Sequence, residues 1–555
     1  VQVNLFQALE ATLCAVGPDV FTVAPILAPG AEWDVTVVVR DDAFAEAGRD
    51  VVAGDPDVSS VAPSGRRFVV RYMDDVIAQL GEALETGTPA GMATDDLLAG
   101  APPCIVDFCD PNAGKALHLG HLRNIAHGHA TAAALEAAGA SVTRWSQIAD
   151  AGRNVGEAMA GWLLFGDGQT PATVGEKPDH YVGRLYARYV REMAPVVAVR
   201  QEDAAVAHDL VERDDLAQDL MGRWLRGDPE AIETWRMVRD WAVAGQDETL
   251  ARLGIRFDHP IYDSERVPEI PRLVAEALAA GVVRRKDCGA VVYDTGEESY
   301  PELPLTRPDG FPTQNLRVVA IWLALMRERP GHRLIHFSGD EWRAHRTHVE
   351  QLVRALRPGA VPYPTDYLLH GMVVTDDGVM SSSKGEPFLI DALFDQLVEA
   401  PEVQAAAREQ REGAKAEDLV AMALLGLCLD RQMGKRLTVS PGRLLDERAN
   451  GGWRLARAWA RACSEEADGA PDPAPRDPAY RYLVMQSQLH RGQLRAVVDK
   501  LDTYILVRYL AILAEWYLGT PPCPRVDRLM RQILASGLSA LGLLRTTSMR
   551  QPIAT

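Results

Sequence analysis

The sequence predicts an α/β chain in which a parallel-sheet domain lies between a small α+β domain and an α-helical bundle. Three observations predict it. Cys104–Phe108 is a short apolar run with one acid, the pattern of a buried parallel strand, and Leu122–Ala138 follows it with Ala and Leu at helical spacing. Upstream, Trp33–Val39 and Arg67–Tyr72 alternate apolar and polar residues between short helical stretches. Downstream of Asp391 nearly everything carries a helical pattern, broken only by proline-rich stretches at 471–478 and 520–524. At 555 residues the chain is too long for one core.

In chain order, residues 1–95 are expected to form the α+β domain, with Gly87–Gly100 as a linker rich in Thr, Pro and Gly. The α/β domain is expected over 96–390. Its second strand is Ser141–Ile148, and residues 157–250 are helical in pattern and insert into the sheet domain. Strand-like sequence resumes at Ile255–Asp258, Lys286–Tyr293 and Arg333–Phe337. Residues 391–555 then stack as amphipathic helices. No internal repeat is evident.

Composition narrows the class. With 47% hydrophobic and 24% charged residues the chain reads as a globular protein, and no apolar run approaches the roughly 20 residues of a membrane span. No basic segment followed by an apolar one opens it, so a cytoplasmic location is expected. The 58 basic and 77 acidic residues give a formal charge of −19, which argues against a general nucleic-acid coat and leaves room for a local basic face. Seven scattered cysteines without a Cys-x-x-Cys pair read as reduced core thiols, not as zinc ligands.

The stretch that concentrates chemistry is Asn112–Asn124, with His118-Leu-Gly-His121 inside it. Following a strand and opening a helix, the two histidines fall i, i+3 on one face of the first turn. Unpaired backbone N–H groups and the positive end of the helix dipole lie beside them. Such a place suits a polyphosphate. Gly120, having no Cβ, would let a flat adenine approach the backbone. The plain alternative is a chance pair on a solvated helix end.

Val106–Arg123 resembles the first signature of class I aminoacyl-tRNA synthetases, in the form used by arginyl-tRNA synthetases. The resemblance runs in family order through most of the chain. Leu225–Arg236 is similar to a packing segment of that family, and Gly378–Gly385 to its mobile Lys/Ser loop. Val379 and Ser382 occupy that loop's two lysine positions, and Lys384 follows two residues later; the alternative is a Ser-rich turn. The resemblance implies that His118, His121, Lys115 and Lys384 neutralise the phosphates, with His118, Gly120, His121, Met380 and Ser381 around ATP. It also matches Gly339 and Asp340 to the ribose-contacting turn, Asp340 being alternatively a helix N-cap. Asp107 and Asn112 match the positions that hold the α-ammonium of the amino acid.

Two departures stand out. Where the family meets the guanidinium of arginine with a Tyr and an Asp, this chain has Gln314 and Val318; Glu341, standing where the family has His or Gln, could supply a substitute charge. Where the family stacks anticodon bases on two tyrosines, this chain has Arg454 and Arg457, which could grip phosphates or form a solvated basic face.

The resemblance implies a Rossmann-like class I synthetase catalytic domain, a small α+β N-terminal domain of the tRNA-elbow type and a C-terminal α-helical bundle of the anticodon-binding type. It implies ATP as cosubstrate, with Mg2+ as its counter-ion and no protein metal site. The expected partners of this monomer are an amino acid and either tRNA or a small-molecule amine acceptor, with no membrane involved. The departures favour a neutral, leucine-like amino acid and an acceptor in natural-product biosynthesis. A housekeeping arginyl-tRNA synthetase is the alternative, and a non-catalytic amino-acid or tRNA-binding regulator a further one.

Overall fold

The computed structural model describes residues 4–26, 31–87, 92–202, 208–358, 365–375, 378–379, 388–409, 415–464 and 476–545. Its centre is a five-stranded parallel sheet, in the order Thr365–His370, Arg333–Gly339, Cys104–Asp107, Val142–Ile148 and His259–Tyr262. All four residues of the central strand Cys104–Asp107 are buried, as expected where helices cover both faces. The chain departs from this strand and from its neighbours at one edge of the sheet. In open α/β folds that carboxyl edge is where ligands bind.

Helix Leu119–Ala137 follows the central strand, starting three residues earlier than the periodicity predicts. It is enclosed on nearly every side, which explains its run of small residues. It packs against strands of the sheet and against helix Ala416–Leu429. At Gly128 a Cβ would lie 2.2 Å from Cγ of Phe108, so only glycine lets helix and strand approach so closely.

The inserted helices are Arg153–Phe165, Pro178–Glu202, His208–Leu225 and Pro229–Leu253, packed round a cluster that includes Met159, Tyr181, Tyr189 and Trp235. Asp228 caps the last of them by accepting from the N–H of Ala231, with Pro229 at the first helical position.

The N-terminal unit has a four-stranded antiparallel sheet in the order Phe21–Pro25, Val35–Val39, Arg67–Tyr72, Val58–Pro63, with helices Leu5–Val16, Ala45–Ala53 and Asp74–Thr86. It docks on the C-terminal helices. Buried Arg481 bridges to Asp34 at 2.6 Å and to Asp74 at 2.8 Å, and Asn4 donates to the carbonyl of Gln488. Arg123, fully buried in the helix Leu119–Ala137, donates to the carbonyls of Gly371, Gln432 and Met433 and so ties that helix to the bundle. None of the described helices is long and apolar enough to cross a membrane.

Several expectations are corrected. Ile255–Asp258 is not a strand: Gly254 ends the preceding helix in the left-handed conformation, Ile255 is buried, and pairing begins at His259. Lys286–Tyr293 is not one strand: it holds the turn and most of the second strand of a hairpin that pairs Arg284–Arg285 with Val291–Asp294. The C-terminal region contributes a strand, Leu437–Val439, parallel to Val373–Thr375. Cys14 and Cys288 are exposed, so the cysteines are not all core thiols. Arg454 and Arg457 lie on helix Gly451–Ala462, where Arg454 meets Glu515 at 3.2 Å and Arg457 meets Glu447 at 3.8 Å; neither forms a solvated, unpaired basic face.

Candidate active site

His118 is the N-cap of helix Leu119–Ala137, and its Nδ1 accepts from the N–H of Gly120 at 3.1 Å. His121 reaches back so that its Nδ1 accepts from the N–H of His118 at 3.2 Å. This is a capping box built from two imidazoles. Both Nδ1 atoms accept, so both rings, when neutral, carry their proton on Nε2. Burial, with Lys115 nearby, pushes His118 down to about 4, and burial with His118 and Lys115 pushes His121 well below its ordinary value. The rings lie 4.1 Å apart, each offering an Nε2–H donor at the helix N-terminus. Gly120 has a local reason as well: a Cβ there would lie 2.8 Å from the His118 ring.

Lys115 precedes the histidines in a turn closed by Asn112, whose carbonyl accepts from the N–H of Lys115 and whose Oδ1 accepts from the N–H of Gly114. Its ammonium lies 4.8 Å from the centre of the Tyr186 ring, and burial lowers its pKa, opposed by Glu157. Asn112 also bridges to Ala149 beside the neighbouring strand.

At the end of the central strand, Asp107 accepts from Nδ1 of His336 at 2.7 Å, while its Oδ1 has no hydrogen-bond partner among the described residues. Asp110 stands 3.8 Å from His336 Nε2 and 3.6 Å from Arg346. Burial raises Asp107 to about 6; burial and the charge of Asp107 raise Asp110 to about 7; His336 is pushed down to about 3 by burial and by Arg346. Cys109 and Asp110 hold positive φ angles of 80° and 45°, a conformation that costs about 1–3 kcal/mol per non-glycine residue. Asn124 secures this turn, accepting from the N–H of Cys109 at 2.6 Å and donating to the carbonyl of Phe337. An acceptor oxygen without a partner, beside a second carboxylate, is suited to an ammonium group.

On helix Gln314–Glu328, Gln314 is exposed, whereas Val318 is wholly enclosed in the apolar cluster that includes Ile105, Trp145 and Leu316. Between them, buried Arg317 donates to Asp263 Oδ2 at 2.7 Å and to the carbonyl of Pro312. Gln147 donates to the other oxygen of Asp263, and its N–H donates to Asp110 Oδ1, so the Arg317–Asp263 pair connects with the acid cluster. Gly339 ends the next strand and Glu341 lies in the turn Asp340–Trp342 that follows; the exposed Glu341 carboxylate occupies the space a Cβ on Gly339 would take. Asp340 does not cap its helix through its side chain but pairs with Arg343 at 2.7 Å. Met380, Ser381, Ser382 and Lys384 lie outside the described residues.

The structure thus gathers Lys115, His118 and His121 at one helix end and Asp107 and Asn112 just before it. Sequence reading missed His336, Arg346, Asp263, Arg317 and Asn124. A histidine inside the apolar strand at Leu334–Phe337 was the one available signal for His336.

A parallel sheet with paired imidazoles and a lysine at the helix N-terminus beyond its central strand is the arrangement of an α/β nucleotide-binding site. Residues 99–426, more than half of the chain, match the family described as tRNA synthetases class I (R), catalytic domain. The chain is 30% identical over 357 residues to the arginine–tRNA ligase of Amoebophilus asiaticus, covering 62% of this chain and 59% of the relative. It is 28% identical over 381 residues to that of Bacteroides thetaiotaomicron, covering 65% and 62%. The aligned stretch therefore spans about three fifths of the length of these curated relatives. Among solved structures, Thermus thermophilus arginyl-tRNA synthetase superposes with a TM-score of 0.68 over 98% of this chain and 99% of its own, at 20% identity. The Plasmodium falciparum arginyl-tRNA synthetase gives 0.62, covering 98% and 97% at 13% identity. The chain belongs to the class I tRNA synthetase family, in its arginyl branch.

Proposed function

We propose that this protein activates an amino acid with ATP, supplied as its magnesium complex, and passes the aminoacyl group to an acceptor. The observation that carries the proposal is the double-imidazole cap, which fixes two Nε2–H donors beside a helix N-terminus and Lys115. A carboxylate oxygen of the amino acid attacks the α-phosphorus of ATP, forming the mixed anhydride. The bond from the α-phosphorus to the bridging oxygen breaks, and pyrophosphate leaves with the electron pair. His118, His121 and Lys115 stabilise charge on the phosphates, joined by Lys384; Gly120, Met380 and Ser381 flank the nucleotide, and Gly339 and Asp340 meet the ribose. The α-ammonium binds Asp107 Oδ1, with Asn112 holding the turn.

The amino acid proposed is neutral and leucine-like. The helix turn bearing Gln314 and Val318 offers no carboxylate, and its one charged residue, Arg317, is a guanidinium already paired with Asp263. A substrate guanidinium buried without a free carboxylate costs several kcal/mol, about what an ion loses on burial without a partner, whereas burying an aliphatic side chain gains roughly 1.5–3 kcal/mol. The acceptor proposed is tRNA or a small amine, with 1–95 and 391–555 as flanking domains of the tRNA-elbow and anticodon-binding types and 96–390 as the catalytic domain. A second reading, arginine with tRNA, is favoured by the names of the curated relatives, and Glu341 would then supply the charge.

Pyrophosphate exchange measured with each of the twenty amino acids, with and without tRNA, tests both. Exchange led by leucine-like amino acids is expected; exchange with arginine alone selects the second reading, and none with any amino acid overturns the adenylating function.

A further inference from the structure

The inserted helix Pro229–Leu253 carries Gln246, Thr249 and Arg252 at intervals of three, and so along one face. Gln246, 1% exposed, donates from Nε2 to the carbonyl of Asn112 at 2.8 Å and to that of Lys115 at 2.7 Å. These two carbonyls bound the turn that carries the phosphate lysine. Thr249 Oγ1 and Arg252 Nη1 both donate to Asp391, at 2.7 and 2.9 Å. Asp391 is buried in the first turn of helix Ile390–Val398, and Lys177 and His180 complete its shell at 3.0 and 3.2 Å.

What Asp391 secures is the segment just before it. The N–H of Ile390 donates to the carbonyl of Leu117, and the N–H of Leu119 to the carbonyl of Phe388, so Leu389 forms an antiparallel bridge with His118 itself. One face of one helix therefore holds the backbone on both sides of the phosphate site: through Gln246 the turn of Lys115, and through Asp391 the strand-like segment clamped to His118. The acids Asp179, Asp391 and the imidazole of His180 close round Lys177, whose ammonium supplies the cation they need.

We propose that Gln246, Thr249 and Arg252, acting with Asp391, are positioning residues that set the register of Lys115 against His118 for adenylation, an inference that rests on the adenylating reading above. None of them touches the reacting atoms; each acts through the backbone it holds. A 1 Å misplacement of such groups is enough to slow a reaction by about 10²-fold.

The test uses the full chain with Gln246→Glu and Asp391→Asn. Gln246→Glu keeps the shape but turns a donor into a carboxylate facing two carbonyls. The exchange kcat should fall about tenfold or more per folded molecule, with the KM for the amino acid changed less than twofold. The ratio of variant to wild-type rate should recover as pH falls and the new carboxyl regains an O–H donor. Asp391→Asn should speed amide hydrogen exchange in peptides covering Leu119 and Ile390. A fall in melting temperature with unchanged kcat per folded molecule and unchanged amide exchange would overturn the proposal. If the wild type exchanges pyrophosphate with no amino acid, the adenylating reading fails by itself, and the amide-exchange arm still decides whether this face holds the two segments.

Discussion

Nε of Arg317 donates to Oδ2 of Asp263 at 2.7 Å in a pair almost closed to water, with Asp263 0% and Arg317 6% exposed. Removing one member leaves the other charge dry and alone, which costs about 3–5 kcal/mol. Arg317→Met should therefore lower the unfolding free energy by about that amount in urea titration. Arg317→Lys should recover only part of it, since one ammonium cannot also reach the carbonyl of Pro312 in the same geometry.

The double-imidazole cap allows stability and chemistry to be separated at one residue. His118→Asn restores a good N-cap oxygen but withdraws the Nε2–H donor. Its stability should stay within about 1 kcal/mol of wild type, while pyrophosphate exchange falls by about 10²-fold, the loss typical of one charge-stabilising donor. His121→Ala should show a similar loss of rate. Wild-type exchange in either variant would remove the imidazoles from the phosphate site.

The acid cluster sets a pH dependence. Burial lifts Asp107 to about 6 and Asp110 to about 7, while the α-ammonium of a free amino acid stays charged across that range. Above pH 7 the pair is ionised and attracts the ammonium; as pH falls through 7 and 6 it takes up protons and the attraction is lost. The KM for the amino acid should rise steadily between pH 8 and 5.5, with kcat less affected. Stability should move the other way. These carboxyls have folded pKa values above their unfolded ones, so their contribution to stability is fully present below the unfolded value and is lost as pH rises through 6 to 7. Melting curves of the ligand-free protein should show this contribution returning as pH drops from 8 to 6.

Arg123 offers a test of how the signature helix is held. Its guanidinium serves the carbonyls of Gly371, Gln432 and Met433, groups that Arg123→Met would leave without that donor. At about 1–3 kcal/mol for each carbonyl left unsatisfied, the variant should unfold at markedly lower urea concentration. No change in midpoint would mean that water replaces the guanidinium freely.

The parts of the site that sequence made legible are contiguous. Asp107, Asn112, Lys115, His118 and His121 fall within fifteen residues, where strand, turn and helix follow from local pattern alone. The parts it hid arrive from far along the chain. His336 reaches Asp107 across 229 positions and Arg317 reaches Asp263 across 54, and a single polar residue in an apolar run says nothing about which neighbour the sheet order will supply. Sheet order was likewise not readable, because it depends on which helices cross over each edge. Ile255–Asp258 misled for a local reason: its alternation is that of a strand, but the left-handed Gly254 ends the preceding helix and these four residues form the connection, anchored by buried Ile255, that leads into the strand at His259. Gln314 and Val318 were legible as departures from a family pattern, while the buried guanidinium between them was visible only in three dimensions.

The grip of Arg481 on Asp34 spans 447 residues of chain. A contact that distant cannot help nucleate folding, since the loop it closes contains the whole parallel sheet and its inserted helices. On a ribosome, where synthesis runs at about 5–20 residues per second, the four-stranded unit is finished long before its docking surface exists. For that interval its helix Asp74–Thr86, which in the finished protein packs on helices Pro478–Ser487 and Pro524–Ala540 and sets Gly81 against Tyr480, has no bundle to cover it. The helices after residue 476 thus act as a clasp that closes over work already done, and a ribosome stalled before them would leave the four-stranded unit exposed to chaperones and proteases.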